Sequence, residues 1–196
     1  MFLVIYMITV LGNTILVLII ISNSQLHTPM YFFLMNLSLL DLSYCSVIAP
    51  RAMASCAEGS KAISYSGCAT QFFFFALFLT TEAFFLAMMA YDRYTAICNP
   101  LRYPVAMSKW VCVQLVVGSY IGGCANAMVQ TGFTFILNYC GSNEINYFFC
   151  DGPYLISLSC SNTYVNNLVM FTLCGVIIAI TCVEGKEDGV SVSYEN

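Results

Sequence analysis

Hydrophobic residues in this chain fall into five long runs that are separated by more polar stretches. The runs are Met1–Ile21, Pro29–Ala49, about Gly67–Tyr94, about Trp110–Phe133 and about Tyr164–Val183. Each is close to the ~20 residues that an α-helix needs to cross the ~30 Å hydrocarbon core of a bilayer. The pattern therefore predicts an all-α membrane protein with five transmembrane helices, since helices satisfy their own backbone hydrogen bonds in lipid.

The connections between the runs differ in length and chemistry. Ser22–Thr28 is short and polar, and Pro50–Ser66 and Thr95–Lys109 each carry charged residues. Thr134–Thr163 is long, has three cysteines and contains no Lys or Arg. After Val183 the composition turns acidic, which predicts a disordered tail over residues 184–196. We therefore expect one helical bundle, residues 1–183, with a long loop at 134–163.

Composition supports membrane insertion and excludes several functional classes. Hydrophobic residues make up 60% of the chain and charged residues 8%, against roughly 25% charged residues in soluble domains. A nucleic-acid partner is excluded, because six Lys or Arg residues and a net charge of −4 leave no basic patch. The chain has a single histidine and no nucleophile–base arrangement, so we expect neither an enzyme nor a histidine-based metal site.

The distribution of basic residues and cysteines predicts the orientation of the helices. With alternating spans, one side of the membrane collects four basic residues and the other two: Arg93, Arg102, Lys109 and Lys186 against Arg51 and Lys61. Basic loops favour the cytosol, so the connection Thr95–Lys109 is predicted to be cytosolic. Four cysteines fall on the opposite side, where disulfides can form: Cys68, Cys140, Cys150 and Cys160.

Three polar residues lie at similar depth within the predicted helices. At a rise of ~1.5 Å per residue, Asn13, Asp41 and Glu82 lie about 14, 18 and 16 Å from the cytosolic helix ends. Unpaired carboxylates at one level repel, so we expect them to share a proton or a small monovalent cation such as sodium. The alternative is that each acid is separately protonated and bonded to a hydroxyl, for which Thr80 and Thr81 are available.

The outer half of the third run is aromatic. Helical periodicity allows Phe75, Ala76, Leu79 and Thr80 to share one face, together with Phe72. Such a face is apolar with a single hydroxyl and suits a small hydrophobic ligand. The alternative is that these aromatic side chains are lipid-facing bulk.

Several motifs together resemble the vertebrate olfactory receptors, a branch of the rhodopsin-like G-protein-coupled receptors. The most specific are "LHTPMYFFLMNLSLLDL" at Leu26–Leu42, "MAYDRYTAICNPLRY" at Met89–Tyr103 and "FFCDGPYLISLSCSNTY" at Phe148–Tyr164. The resemblance covers roughly residues 3–183. It implies a plasma-membrane receptor that binds small volatile hydrophobic odorants and activates a stimulatory G protein.

The resemblance also implies roles for individual residues. Asp92, Arg93 and Tyr94 match the acid–Arg–Tyr triplet, in which the acid restrains the Arg until the receptor is activated. Asp41 and Glu82 match intramembrane acids of that family, and the helix 3 positions Phe75, Ala76, Leu79 and Thr80 match ligand-contacting positions. The disulfides it implies are Cys68–Cys150 and Cys140–Cys160.

The chain departs from the family pattern in several ways. It contains five of the seven expected helices, and Tyr120 stands where many relatives have Trp. One alternative is therefore a truncated or pseudogene-derived receptor fragment that is retained in the endoplasmic reticulum and does not signal. A small transporter or channel that uses Asp41 and Glu82 as an ion path is disfavoured, because internal repeats and broken helices are missing from the sequence.

Overall fold

Four long helices form the bundle in the computed structural model, which describes residues 2–58, 62–63, 65–137, 145–146, 150 and scattered residues between 155 and 176. In chain order the helices are α1 (Phe2–Ser22), α2 (Pro29–Glu58), α3 (Tyr65–Cys98), a short α4 (Tyr103–Ala106) and α5 (Lys109–Phe135). A 3₁₀ turn, Ser24–Leu26, joins α1 to α2.

Each of the four long helices contains a stretch that is long and apolar enough to span a membrane. These stretches are Leu3–Ser22, Pro29–Val47, Tyr65–Cys98 and Lys109–Phe135. They correspond to the first four predicted spans, and the all-α membrane fold is confirmed. The fifth predicted helix, 164–183, lies largely outside the described residues, although those described between 164 and 176 are helical. The predicted tail, 184–196, lies outside them entirely.

The second helix is longer than its hydrophobic run. The sequence predicted an end at Ala49, before Pro50 and Arg51, but α2 continues to Glu58. The segment 51–58 contains three Ala residues with one Arg, one Met and one Glu, which have high helix propensity and continue the helix beyond the apolar part. The structure also adds two short strands, Ala62–Ile63 and Ile145–Asn146, which pair antiparallel with Ala62 opposite Asn146.

The third helix lies at the centre of the bundle and packs against both α2 and α5. The main hydrophobic core forms between these three helices, with fully buried Phe33 on α2 and Phe85 on α3 among its largest side chains. On α5, Gly123 allows close approach, because a Cβ there would collide with Thr81 Oγ1 and meet the Leu77 carbonyl oxygen at 3.1 Å. Small residues of this kind permit close helix packing in lipid.

The first helix packs against α2 but leaves most of its surface open. Large apolar side chains are exposed all along it, including Leu3, Ile8, Ile15 and Ile21. A helix that is apolar on every side is typical of one that contacts lipid. The structure therefore places α1 at the edge of the bundle.

Candidate functional site

The carboxyl-terminal end of α3, where Asp92 and Arg93 lie, is predicted to face the cytosol and is therefore its inner end. It is closed by a hydrogen bond to the following turn. Tyr103, the first residue of α4, donates from its hydroxyl to Asp92 Oδ1 at 3.0 Å. The turn is fixed because the backbone N–H groups of Arg102 and Tyr103 both bond the Asn99 carbonyl. Asp92 is 3% exposed, so this bond satisfies a carboxyl group that water scarcely reaches.

The two charged members of the triplet occupy different environments. Arg93 is exposed and Tyr94 is half-buried, while Asp92 is buried. Among the described residues, the side-chain hydrogen bond to Asp92 comes from Tyr103, and Arg93 acts on Asp92 through its charge. The guanidinium of Arg93 is therefore available at the surface of this end of the bundle.

Tyr103 is held in its neutral, donating form. Burial, together with the hydrogen bond and the negative charge of Asp92, raises the pKa of the Tyr103 hydroxyl from 10.0 to about 12. The sequence analysis did not assign a role to Tyr103. The sequence does show a tyrosine hydroxyl at the end of "MAYDRYTAICNPLRY". Its contact with Asp92 depends on the turn after α3, which only the structure reveals.

The structure brings together the three polar residues that were predicted to cluster inside the membrane. Asn13 on α1 lies near Asp41 on α2, and its side-chain amide donates to the Thr9 carbonyl at 3.1 Å. The charge of Asp41 in turn acts on Glu82 of α3, so the two carboxyl groups are electrostatic neighbours. The three helices thus converge on one polar site with two acids.

The two hydroxyls proposed as separate partners for these acids are engaged elsewhere. Thr81 donates to the Leu77 carbonyl at 2.8 Å, and Thr80 accepts from Asn126 Nδ2 of α5 at 2.7 Å. Asn126 also accepts from Gln130 Nε2 at 3.3 Å. Neither of the two threonine contacts involves Asp41 or Glu82. No group of three or more His, Cys, Asp or Glu residues that could hold a metal occurs in the described part of the chain.

The four residues of the predicted ligand face of α3 differ in how deeply they are buried. Ala76 and Thr80 are buried on the side that faces α5. Phe75 is half-buried, with its ring centroid 6.2 Å from that of Tyr44 on α2. Leu79 is 53% exposed. Phe75 and Leu79 therefore carry the accessible apolar surface of the set, and Asn126 is a polar neighbour that sequence reasoning missed.

A disulfide closes the outer end of α3. Cys68 and Cys150 are bonded, as the resemblance implied, and both are buried beside Phe72 and Leu155. The bond crosses 82 positions in the sequence and ties the long loop to the helix that carries Asp92 at its other end. The second implied bridge, Cys140–Cys160, lies outside the described residues.

Comparison with known proteins places this arrangement in a family. A sequence model described as 7 transmembrane receptor (rhodopsin family) matches residues 12–184. The chain belongs to the rhodopsin family of seven-transmembrane receptors. It is a multi-pass membrane protein, and the acid–Arg–Tyr triplet and the Cys68–Cys150 bridge mark the two ends of the third helix of this rhodopsin-family chain.

Individual relatives within the rhodopsin family confirm the resemblance to olfactory receptors. Olfactory receptor 9S13 of Mus musculus is 53% identical over 193 residues, which cover 98% of this chain and 56% of that protein. Olfactory receptor OR9H1 of Homo sapiens is 58% identical over 180 residues, covering 92% and 58%. Olfactory receptor 5AR1 of Mus musculus is 53% identical over 176 residues, covering 90% and 57%. The chain thus spans a little over half the length of these relatives.

Proposed function

We propose that the protein is an odorant receptor, which binds small volatile hydrophobic molecules and couples them to a stimulatory G protein at the plasma membrane. The observation that carries the proposal is the arrangement of the inner end of α3. There Asp92 is buried and bonded to Tyr103, while Arg93 is exposed. The identity to olfactory receptors supports the choice of ligand class. On this proposal the protein changes its contacts with a G protein in response to ligand, and it has no catalytic residues of its own.

The proposed coupling surface is built around Arg93, with Asp92 and Tyr94 beside it. An exposed guanidinium offers five donors in a rigid fork, which suits backbone carbonyls or carboxylates of a partner. Because Asp92 receives its bond from Tyr103, Arg93 can engage a partner without leaving a buried acid unpaired. An unpaired buried acid would cost several kcal/mol.

The proposed odorant site lies on the outer half of α3. Phe75 and Leu79 supply apolar contact, with Ala76 and Thr80 behind them toward α5. The partial exposure of Phe75 and the 53% exposure of Leu79 support this assignment. Thr80, with Asn126 as its hydrogen-bonding neighbour, supplies the polar group that orients an oxygen-bearing odorant.

The proposal is tested by cyclic AMP measurements in transfected cells exposed to a panel of volatile molecules. One arm expresses this chain, and a second expresses a chimera in which residues 12–182 replace the matching part of Olfactory receptor OR9H1. We expect a dose-dependent rise in at least one arm, lost in Arg93→Ala and retained in the control Arg102→Ala. Surface-expressed protein that answers no volatile in either arm, or that signals normally with Arg93→Ala, contradicts the proposal.

We further propose that Asn13, Asp41 and Glu82 hold a sodium ion. Oxygen ligands suit a hard cation, and the convergence of two carboxyl groups from α2 and α3 beside the Asn13 amide supports the fit. A bound cation would neutralise the repulsion between the two acids, and the competing arrangement is one shared proton.

The cation proposal is tested by thermal unfolding of the purified chain in sodium chloride and in choline chloride at equal ionic strength. Sodium should stabilise the protein by about 1.4 kcal/mol at ten times its dissociation constant. Asp41→Asn should remove this difference, whereas Ser43→Ala, an exposed change on the same helix, should keep it. Equal midpoints in the two salts for the unmodified chain would contradict a bound sodium ion.

A further inference from the structure

A cavity of about 460 Å³ lies between the inner ends of three helices, and none of the candidate site residues described above lines it. Its walls come from the last turn of α1, the first two turns of α2 and the first turn of α5, together with the loop between α1 and α2. α2 packs against both α1 and α5 and so forms its floor. The cavity is therefore a cleft at the edge of the bundle, at the level where the spanning helices begin and end.

The lining of this cleft is apolar apart from its mouth. Ile20, Phe32, Met35 and Cys112 line the interior, while the exposed residues His27 and Lys109 lie at the end nearer the loop. Lys109 is the first residue of α5 and, among the described residues that line the cleft, the only Lys or Arg, and none of these is Asp or Glu. Met35 lies six residues along α2 from Pro29, about 9 Å deeper in the membrane. Polarity thus falls from the mouth inward.

We propose that this cleft binds an anionic phospholipid from the surrounding bilayer, with its phosphate at Lys109 and an acyl chain over the α2 floor. The side walls are open toward lipid, because Ile21 on α1 is 60% exposed and Val113 on α5 is 41% exposed. An acyl chain can therefore enter sideways without first passing through water. The inner leaflet, where the Lys109 end is predicted to lie, is the leaflet that carries anionic lipids.

The chemistry of the cleft distinguishes this occupant from others. A free phosphate would leave the apolar interior unused. A sterol hydroxyl could accept a hydrogen bond from Lys109, but it carries no negative charge to pair with the ammonium group. A peptide would need partners for its backbone N–H and C=O groups, and the interior that Ile20, Phe32 and Met35 line offers none from its side chains. A lipid with an acidic headgroup matches both the apolar floor and the cationic mouth.

The chain carries a natural reporter for this site. Trp110 is its single tryptophan, is 71% exposed and directly follows Lys109. Bromine atoms on an acyl chain quench tryptophan fluorescence only at short range. The test therefore reconstitutes the full chain in phosphatidylcholine vesicles that contain either brominated phosphatidylserine or brominated phosphatidylcholine at equal mole fraction.

We expect brominated phosphatidylserine to bind near Trp110 roughly fivefold more tightly than brominated phosphatidylcholine, since one Lys near the surface is worth ~1 kcal/mol toward an acidic lipid. Lys109→Gln should reduce this preference to about onefold. Val113→Phe, which narrows the open side of the cleft, should also reduce it with the charge unchanged. The matched control Arg102→Gln removes an exposed charge that does not line the cleft, and it should keep the preference.

Three results would overturn the proposal. The first is equal quenching by the two lipids in the unmodified chain. The second is a preference that survives Lys109→Gln or falls equally with Arg102→Gln, which would indicate only the general surface charge. The third is displacement of brominated phosphatidylserine by cholesterol, which would assign the cleft to a sterol. Far-ultraviolet circular dichroism of each variant confirms that its helices are intact, and Lys109 is exposed, so Lys109→Gln should fold normally.

Discussion

Tyr103 provides the hydrogen-bond donor for the buried Asp92 carboxyl group at the inner end of α3. Its hydroxyl donates to Asp92, which is 3% exposed, and this bond leaves Arg93 outside the pair. A buried carboxyl that loses its donor retains the desolvation penalty of an unsatisfied polar group, about 1–3 kcal/mol. The Tyr103 hydroxyl therefore holds the Asp92 carboxyl group toward α4.

Replacing Tyr103 with Phe should remove this bond while keeping the ring. We expect Tyr103→Phe to destabilise the chain by about 1 kcal/mol, because Asp92 becomes an unsatisfied buried acceptor. Thermal unfolding of the purified protein, followed by circular dichroism, measures the change. Tyr91→Phe is the matched control, since Tyr91 is 41% exposed. Equal midpoints for the unmodified protein and Tyr103→Phe would show that the bond contributes nothing to stability.

The same bond predicts how stability depends on alkaline pH. The pKa of Tyr103 is raised from 10.0 to about 12 in the folded protein. A raised pKa means that the contribution of Tyr103 is complete below pH 10 and is lost as pH rises through 12. Midpoints of the unmodified protein and Tyr103→Phe should therefore differ by a constant amount up to pH 10 and then converge. A difference that disappears near neutral pH would contradict this assignment.

Packing between helices, rather than hydrophobicity alone, decides which faces of each element are buried. The apolar runs were enough to predict the four described spans, because length and hydropathy are local properties of the sequence. They could not show that Ala76 and Thr80 turn to α5 while Leu79 stays 53% exposed, since that depends on the positions of neighbouring helices. Likewise the depth argument grouped Asn13 with the two acids, but not Asn126 with Thr80.

The α3–α5 contact offers a sharp test of this packing. A methyl group at Gly123 would collide with Thr81 Oγ1 and press on the Leu77 carbonyl. We expect Gly123→Ala to destabilise the bundle by about 1–3 kcal/mol, the usual range for overpacking. The control Gly118→Ala lies on the same helix, where a new Cβ meets nothing within 4 Å. It should be neutral or slightly stabilising, since Ala favours helix over Gly. Similar thermal midpoints for the two variants would refute the close approach at Gly123.

Two features stabilise the described bundle as a unit. One is the hydrophobic core between α2, α3 and α5, and the other is the Cys68–Cys150 disulfide between α3 and the long loop. The Cys68–Cys150 bridge was predicted from the family resemblance alone, because spacing by itself does not determine which cysteines pair. Once the structure places both sulfurs in one buried cluster with Phe72, the pairing has a physical setting. The bridge is therefore a global constraint on the chain.

Removing the bridge should lower the stability of the entire bundle. Loop entropy for a separation of 82 residues gives a contribution of about 4–5 kcal/mol as an upper estimate. We expect Cys68→Ser with Cys150→Ser to lower the thermal unfolding midpoint, and reducing agent to have the same effect on the unmodified protein. Cys98→Ser removes a cysteine with a free thiol and should leave the midpoint unchanged. Insensitivity to both treatments would show that the loop is held without the bond.

The length of α3 has a mechanical consequence. Cys68 and Asp92 are 24 residues apart on one continuous helix, about 36 Å at 1.5 Å per residue, whereas the hydrocarbon core is ~30 Å thick. A rod longer than the layer it crosses responds to a change in bilayer thickness by tilting. Because the rod does not stretch, a tilt shifts the disulfide at one end and the Asp92–Tyr103 bond at the other in opposite directions. Membrane thickness is thus a variable that acts on both ends of α3 at once.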